Sequence, residues 1–370
     1  MSDRKIAVVL FNLGGPDKPA SVKPFLVNLF KDPAILRVPF FVRPLLARLI
    51  ARLRVKAATA NYAILGGKSP LLELTAEQGR AIESALEGSG HDVRCFIAMR
   101  YWHPFSLETA RAVKAWDPDE VVLLPLYPQY STTTTGSSLT AWREAAAKAG
   151  LVKPVTTLCC YHSDPGYLRA TAAIVRRSYE EARAGLPEGV GLRVLFSAHG
   201  LPEVIVKAGD PYQFQVERTV AGVVRALGIE GLDFATCYQS RATPQKWLDP
   251  STEVEIERAA RDKVAVLVVP IAFVSEHSET LVELDVEYRE LAEHHGVPGY
   301  FRAPAQNSEA GFIDAVAGLI EASLGRGPGL CSFVGGRTCP KPFGDCPHAR
   351  AGAGAPVAGA AVRAPVRELV

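Results

Sequence analysis

The 370-residue sequence predicts an α/β fold of two similar doubly wound, Rossmann-like halves, each a parallel sheet flanked by helices. Three observations support this class. Short runs rich in Val, Ile and Leu recur between longer helical stretches. These runs are continuously apolar rather than alternating, which is typical of parallel strands buried on both faces. Two of them, VVLLPLYPQYST and AVLVVPIAFVSE, place Pro, an aromatic residue and Ser at similar offsets, which indicates that the halves resemble each other.

In chain order, the predicted strands of the first half are KIAVVLFN, VRCFIAM, EVVLLPLY and VTTLCC. Those of the second half are LRVLFSAH, LDFATCY, KVAVLVVPIAF and GYFRA. We therefore expect domains at 1–164 and 165–328, a Cys-bearing extension at 329–348 and a flexible tail at 349–370. Ligands of such sheets bind beyond the carboxyl ends of the strands, so the segments after these runs predict one shared cleft.

The composition is that of a soluble globular protein, with 48% hydrophobic residues, 22% charged residues and a formal net charge of +2. This charge gives no overall attraction to nucleic acid, so we expect no nucleic-acid partner. The longest apolar run is too short to span a bilayer, and the N-terminus carries no secretory signal pattern. We expect a cytoplasmic protein, whose seven cysteines are free thiols or metal ligands.

Five carboxylates follow the most hydrophobic run of the chain. In a helix over 274–290, their spacing of three or four residues places them on one face. They are Glu276, Glu279, Glu283, Glu287 and Glu290. Two interpretations are open: a solvated helix face, or the wall of a water-filled cleft that relays protons or guides a divalent cation. The cleft is favoured because none of the five has a Lys or Arg three or four residues away.

His199 ends the predicted strand LRVLFSAH and is followed by Gly-Leu-Pro. A lone His at a strand end is either a hydrogen-bonded packing residue or a catalytic group. The Gly and Pro favour catalysis, because they end the strand sharply and bring backbone close to the cleft. Imidazole together with carboxylate would suit Fe(II) or a similar, loosely bound metal.

Residues 33–72 contain no Asp or Glu but seven Lys and Arg. Arg48, Arg52 and Lys56 share one helical face, and leucines occupy others. Either this helix packs its leucines into the core, or it faces an anionic membrane or an acidic, apolar ligand. The neighbouring VPFF run favours an exposed apolar lip. We therefore expect 33–72 to make peripheral contact with a membrane surface.

Cys331, Cys339 and Cys346 lie in a Gly- and Pro-rich extension that has little else to fold around. A zinc site or an iron–sulfur cluster would explain them, and either needs a fourth ligand from Cys159 or Cys160. Adjacent side chains of a strand point to opposite sides, so we expect one of those two to be the ligand.

Seven motifs together resemble the ferrochelatase family, in its order and over nearly the whole length of the chain. They are LFNLGGPD, GGKSPL, MRYWHP, YPQYSTTTTGSS, FSAHGLPE, TCYQS and PIAFVSEHSETLVELDVEY. The resemblance implies a two-domain chelatase fold. It also implies insertion of Fe(II) into protoporphyrin IX, the terminal step of haem biosynthesis.

By the same resemblance, His199 and Glu279 match the family's pair at the metal-insertion centre, where they would meet the substrate Fe²⁺. Glu283 would continue the acidic path, and all three would be catalytic. The porphyrin-binding positions implied by the resemblance are Arg54, Tyr62, Ser69 and, at a propionate, Ser240.

The resemblance also implies a [2Fe–2S] cofactor on the cysteines named above. Thr132 stands where animal members carry a Cys ligand before TTGSS, so Cys159 or Cys160 would have to replace that ligand. We expect the cluster to stabilise the fold and a homodimer.

Two rival functions are open. One is a chelatase that acts on coproporphyrin or inserts cobalt. The other is a non-catalytic, two-lobed tetrapyrrole-binding protein, since paired Rossmann-like lobes also serve as solute receptors. Turnover of porphyrin with Fe(II) separates an enzyme from a receptor.

Overall fold

A computed structural model describes residues 4–241 and 245–352, and within these ranges nine strands form two parallel sheets. The strands are β1 (Arg4–Asn12), β2 (His91–Met99), β3 (Glu120–Pro125), β4 (Val155–Leu158), β5 (Leu192–His199), β6 (Phe234–Gln239), β7 (Ala265–Pro270), β8 (Tyr300–Arg302) and β9 (Gly329–Cys331). The first sheet has the order β2-β1-β3-β4-β9 and the second the order β6-β5-β7-β8. The predicted α/β class with two doubly wound sheets is confirmed.

Helices connect the strands and cover both faces of each sheet. They are α1 (Val22–Lys31), α2 (Arg43–Ile64), α3 (Leu71–Ala85), α4 (Ser106–Trp116), α5 (Thr135–Ala149), α6 (Pro165–Gly185), α7 (Glu203–Lys207), α8 (Tyr212–Leu227), α9 (Thr252–Asp262), α10 (Ser278–Leu281), α11 (Tyr288–His294), α12 (Ala310–Arg326) and α13 (Pro347–Gly352). A 3₁₀ turn at Pro19–Ser21 precedes α1, and a π-helical segment at Glu283–Glu287 joins α10 to α11.

The central strands show why continuous apolar runs predicted this fold. Every residue of β3 and of β7 is buried, because each strand has a neighbour on both sides and helices on both faces. All eight predicted strands are present. The strand predicted as VTTLCC is shorter than expected, since β4 ends at Leu158.

The end of the chain returns to the first sheet. Phe312, Val316 and Ile320 of α12 share a core cluster with Ile6 and Val8 of β1. The following strand β9 pairs with β4. The helix belongs to the predicted second domain at 165–328, and neither its packing on the first sheet nor strand β9 was predicted. A three-residue strand has no detectable periodicity, and the apolar face of α12 fits either sheet.

The acidic segment is not the single helix expected over 274–290. Residues up to His277 form a loop, and α10 then passes into the π-helical segment. There the Glu287 N–H donates to the carbonyl of Val282 five residues earlier, at 3.0 Å. Such π segments interrupt regular helices most often at functional sites.

The predicted flexible tail at 349–370 begins inside α13, which extends to Gly352. Residues 353–370 lie outside the described residues. In the described ranges, no helix combines the length and the apolar composition needed to cross a bilayer.

Candidate active site

A cavity of about 660 Å³ lies at the carboxyl ends of strands from both sheets, where open parallel sheets bind ligands. Leu13 and Tyr127 line it from the first sheet, and His199, Ser240 and Phe273 line it from the second. Helices α1 and α2 add apolar side chains, namely Leu29, Phe30, Ile50 and Leu53. The cavity therefore suits a large ligand that is mostly apolar.

One imidazole and one carboxylate face each other on the cavity wall. His199 Nε2 lies 3.6 Å from Glu279 Oε1, and each side chain is about one-third exposed, at 34% and 31%. His199 Nδ1 lies 2.6 Å from the Gly200 carbonyl. That carbonyl can only accept, so Nδ1 carries a hydrogen. Nε2 is therefore the ring nitrogen that exchanges protons on the cavity side.

A second imidazole holds the other carboxylate oxygen of this pair. His277 Nε2 lies 3.4 Å from Glu279 Oε2. The His277 ring is buried against Phe273, with 4.7 Å between ring centroids. Its backbone N–H donates to Thr280 Oγ1 at 3.0 Å, which fixes the start of α10. Glu279 is thereby held between two imidazoles.

The charges of the pair stabilise each other. Burial opposes protonation of His199, but the carboxylate of Glu279 outweighs burial and raises the pKa of His199 to about 9. Burial likewise opposes ionisation of Glu279, but His199 and then His277 hold the pKa of that carboxyl well below its usual range. At neutral pH the pair is imidazolium and carboxylate.

Glu283 lies one helical turn beyond this pair, and its pKa is shifted in the opposite direction to that of Glu279. Burial, followed by the negative charge of Glu279, raises the pKa of Glu283. Its Oε2 accepts hydrogen bonds from the Ser240 hydroxyl and, at 3.0 Å, from Gln239 Nε2. Its Oε1 accepts from the Tyr288 hydroxyl at 3.0 Å. Glu283 is therefore a carboxyl group suited to taking up a proton.

The other three members of the predicted stripe have different surroundings. Glu276 is buried and pairs with Arg302 Nη1 at 2.7 Å, so its placement on one face with the rest is wrong. Glu287 and Glu290 are exposed, and Glu287 accepts from Asn61 Nδ2 at 3.1 Å. The two interpretations of the stripe each describe part of it: Glu279 and Glu283 line the cavity, and Glu287 and Glu290 face solvent.

Of the four predicted porphyrin-binding residues, two belong to the cavity lining and two do not. Arg54 and Ser240 line the cavity. Tyr62 is buried, and its hydroxyl accepts from Ser278 Oγ at 3.4 Å, next to Glu279. Ser69 is buried too. It packs so closely on Gly15 that a Cβ added to Gly15 would lie 2.4 Å from the Cβ of Ser69. A direct porphyrin contact of Tyr62 or Ser69 remains a prediction.

The predicted lip is an exposed apolar surface. Phe40 is 79% exposed, Leu45 71% and Leu53 73%, while α2 packs inward through Ala47 and Ala51. The alternative, in which these leucines fill the core, is wrong. Arg48, Arg52 and Lys56 are exposed on the same helix, so apolar and cationic groups share this surface.

Five buried cysteines gather where β4 and β9 end. The Cys159 N–H donates to the Cys331 carbonyl at 2.8 Å, and the sulfurs of Cys159 and Cys160 are 3.6 Å apart. The expectation that these two point to opposite sides is wrong, since both follow the end of β4. Gln215 Nε2 lies 3.1 Å from Cys339 Sγ, and Cys339 is hydrogen-bonded to Cys346.

The thiols of this group have unequal acidities. The Cys159 thiol donates to Cys160 and lowers the pKa of Cys160 to about 6, and His162 adds to this effect. Cys339 similarly lowers the pKa of Cys346 to about 7. Across the described residues, no three His, Cys, Asp or Glu side chains have the arrangement that holds a single metal ion.

Sequence reasoning missed two polar groups of the site. His277 lies two residues before Glu279 in SEHSE, and its place after a buried strand was the available signal. The sequence around Tyr288 carries no local signal of a polar role. The Tyr288 ring packs against Leu284, but its hydroxyl reaches Glu283.

Comparison with known proteins identifies the family of the chain. Residues 5–324 match the profile of the Ferrochelatase family. The chain is 52% identical over 346 residues to the ferrochelatase of Caulobacter vibrioides, covering 93% of this chain and 97% of that protein. It is 52% identical over 341 residues to the enzyme of Phenylobacterium zucineum, covering 90% and 97%. With the enzyme of Hyphomonas neptunium, it is 50% identical over 353 residues, covering 94% and 95%.

Two parallel sheets meeting at an apolar cavity, with an imidazole and carboxylates on its wall, define a metal-inserting chelatase. The chain belongs to the ferrochelatase family. It is a lyase of haem biosynthesis that inserts Fe(II), its metal substrate, into protoporphyrin IX to give protohaem with release of two protons.

Proposed function

We propose that Fe(II) enters the porphyrin between His199 and Glu279, that His277 positions Glu279, and that Glu283 receives the released protons. The observation that supports this best is the pair itself, with His199 Nε2 and Glu279 Oε1 3.6 Å apart on the cavity wall. Acid–base groups have to lie within reach of the reacting nitrogens, and this pair brings a base and an anionic metal ligand to one point.

Insertion requires two N–H protons to leave the pyrrole nitrogens as the metal binds. His199 begins as an imidazolium, because Glu279 raises its pKa to about 9. Fe(II) that approaches Glu279 neutralises the charge that stabilises this imidazolium, so His199 gives its Nε2 proton to the carboxylate of Glu283 and gains the lone pair of a base. The Nε2 atom then accepts a pyrrole proton, and Glu283 takes the protons onward.

Replacement of His199 tests the assignment. We expect His199→Ala to abolish Fe(II) insertion and to leave porphyrin affinity, measured by fluorescence quenching, within a few-fold of wild type. The matched control is His295→Ala, because His295 lies outside the cavity and faces Glu257 at 4.0 Å. Normal turnover by a correctly folded His199→Ala enzyme contradicts the proposal.

The cavity also supports a dicarboxylate porphyrin. In the described part of its lining, the guanidinium groups are those of Arg54 and Arg241, and Ser240 lies beside Arg241. Two cations match the two propionates of protoporphyrin, whereas coproporphyrin carries four. The decisive assay offers both porphyrins with Fe(II), Zn(II) and Co(II). A higher kcat/KM for coproporphyrin contradicts the preference for two propionates.

We further infer a [2Fe–2S] cluster on Cys160, Cys331, Cys339 and Cys346. Four thiolates are the ligand set of such a cluster, and a thiol with a lowered pKa is ready to ligate. Cys160 is favoured over Cys159 because the pKa of Cys160 is lowered to about 6. When bound, the cluster would cross-link the extension to β4 and stabilise the fold.

The two adjacent cysteines provide a matched test of the cluster. Purified protein should be red-brown, with about two irons and two sulfides per chain. Cys160→Ser should lose this colour and lower the melting temperature, and Cys159→Ser should retain both. A colourless, zinc-free and fully active enzyme prepared anaerobically contradicts the cluster.

The lip is our proposed site of peripheral membrane contact. Exposed Phe40 and Leu45 would enter the interfacial region, and the cations of α2 would face anionic headgroups. Helix α2 also lines the cavity through Ile50 and Leu53, so an apolar porphyrin could pass from the bilayer without crossing water. The other candidate occupant of the lip is a second copy of the chain.

A further inference from the structure

The Tyr288 hydroxyl lies between two carboxylates. It is 3.0 Å from Glu283 Oε1 and 3.2 Å from Glu253 Oε1. Glu253 belongs to the first turn of α9, which Ser251 caps by accepting from the Val254 N–H. The hydroxyl thus connects the cavity carboxylate Glu283 to a carboxylate on a different helix.

A phenol has one hydrogen to donate, so it can serve only one ionised carboxylate at a time. Both short contacts are favourable together only if one carboxyl is protonated and donates to the phenol oxygen. The second oxygen of Glu253 is buried as well. The trio is therefore built to hold one extra proton.

Tyr288 itself stays neutral while it connects the two. Burial, together with the charges of Glu283 and Glu253, raises the pKa of Tyr288 far above its usual range. Its ring is buried in a core cluster with Leu284 and Ala292, which keeps the hydroxyl in place. A neutral, fixed hydroxyl between two carboxyls can exchange protons without forming a phenolate.

We propose that Tyr288 and Glu253 form the exit path for the protons released by metal insertion. The proton on Glu283 Oε1 bonds to the Tyr288 oxygen as the Tyr288 hydroxyl proton bonds to Glu253 Oε1. Glu283 becomes a carboxylate, Glu253 becomes a carboxylic acid and Tyr288 is unchanged. Glu253, which is partly exposed, then gives its proton to water, and rotation of the hydroxyl resets the path.

This path separates protons from iron. Protons that left past Glu287 would protonate the exposed carboxylates that attract the incoming cation. Along the Tyr288 path, protons instead leave the cavity at Glu283 and move toward Glu253 on α9. Glu287 and Glu290 therefore take no part in the proton path.

Two substitutions interrupt the path and keep its shape. Tyr288→Phe removes the hydroxyl, and Glu253→Gln retains a hydrogen-bonding group that carries no titratable proton. We expect each to slow single-turnover insertion by about 10²-fold, the lower end of what a positioned proton-transfer group contributes. The solvent deuterium isotope effect on that rate should rise, and porphyrin affinity should not change.

The controls alter similar groups outside the path. Tyr300 is another buried tyrosine of the same cluster, and its hydroxyl donates to the Leu284 carbonyl. Glu257 lies one turn further along α9. Tyr300→Phe and Glu257→Gln should insert iron with an unchanged isotope effect. A structural role of Tyr288 would affect stability in both tyrosine variants and would leave the isotope effect unchanged.

When two groups act in one proton path, removal of both slows the reaction no more than removal of one. The double variant Tyr288→Phe/Glu253→Gln should therefore be no slower than the slower single variant. Wild-type rates in Glu253→Gln, or a double variant whose defect is the product of the single defects, would overturn the path. The inference rests on the proposed insertion centre, which is tested separately: activity in His199→Ala contradicts that centre, whereas loss there with unaffected path variants contradicts only the path.

Discussion

The two sheets of this protein point their strand ends at one cavity but supply different groups to it. The first half contributes apolar walls and hydroxyls, such as Tyr127 after β3 and Leu53 on α2. The second half contributes the reactive groups His199, His277 and Glu279. Strands β3 and β7 both end in a buried proline, at Pro125 and Pro270. The loop after β3 nevertheless supplies Tyr127 to the cavity, whereas the loop after β7 supplies His277. We infer that the groups of the first half act mainly in binding, whereas the second half supplies the acid–base groups in addition to Ser240 and Arg241.

The largest effect is expected when the carboxylate that faces His199 is removed. Glu279→Gln should lower kcat for Fe(II) insertion by about 10²- to 10⁴-fold with KM for porphyrin nearly unchanged, because an acid–base group is removed from the reacting half. Steady-state kinetics check this, with Glu290→Gln on the exposed surface as the control. A change confined to KM would mean that Glu279 acts in porphyrin binding rather than in metal insertion.

A substitution in the first half should give the reverse pattern. Arg54→Leu should raise KM for protoporphyrin about tenfold and leave kcat unaltered, because a charge-assisted hydrogen bond to a propionate is lost from a site with no role in proton transfer. The adjacent Arg52→Leu serves as the control, since Arg52 lies outside the cavity lining. A fall in kcat without a change in KM would break the proposed division.

Membrane binding through the lip should depend on salt concentration, unlike Fe(II) insertion. We expect flotation with anionic vesicles that weakens as salt rises, and that is lost when Arg48, Arg52 and Lys56 are all changed to Glu. Activity on detergent-solubilised porphyrin should change little. Persistent flotation of the triple variant at high salt contradicts the membrane assignment, and a shift from dimer to monomer on gel filtration supports the second-copy alternative.

The smallest effect concerns the resting charge of His199. Its folded pKa of about 9 is above the ordinary histidine value of 6.5, so the pair stabilises the fold fully below pH 6.5 and loses that contribution as pH rises through 9. Glu279→Gln should move the imidazole titration, followed by NMR, to lower pH. A titration midpoint unaffected by this substitution would show that Glu279 does not set the charge.

Local patterns predicted the scaffold better than the site's polar connections. The buried strands were predictable because they carry unbroken apolar runs, and His199 because its strand ends in Gly-Leu-Pro. The π-helical segment was not, since a search for 3.6-residue periodicity assumes an uninterrupted helix. The partner of Glu276 was also missed, because Arg302 lies 26 residues further along the chain. Contacts between distant segments leave no local pattern.

The return of α12 and β9 to the first sheet has a consequence for biosynthesis. The ribosome releases the first half early, yet the apolar surface that receives Phe312 and Val316 stays uncovered until the last helix emerges. The N-terminal half therefore cannot complete its core while the chain is still being made. A nascent chain stalled before residue 310 should bind chaperones, and folding should finish only after the whole second half has been translated.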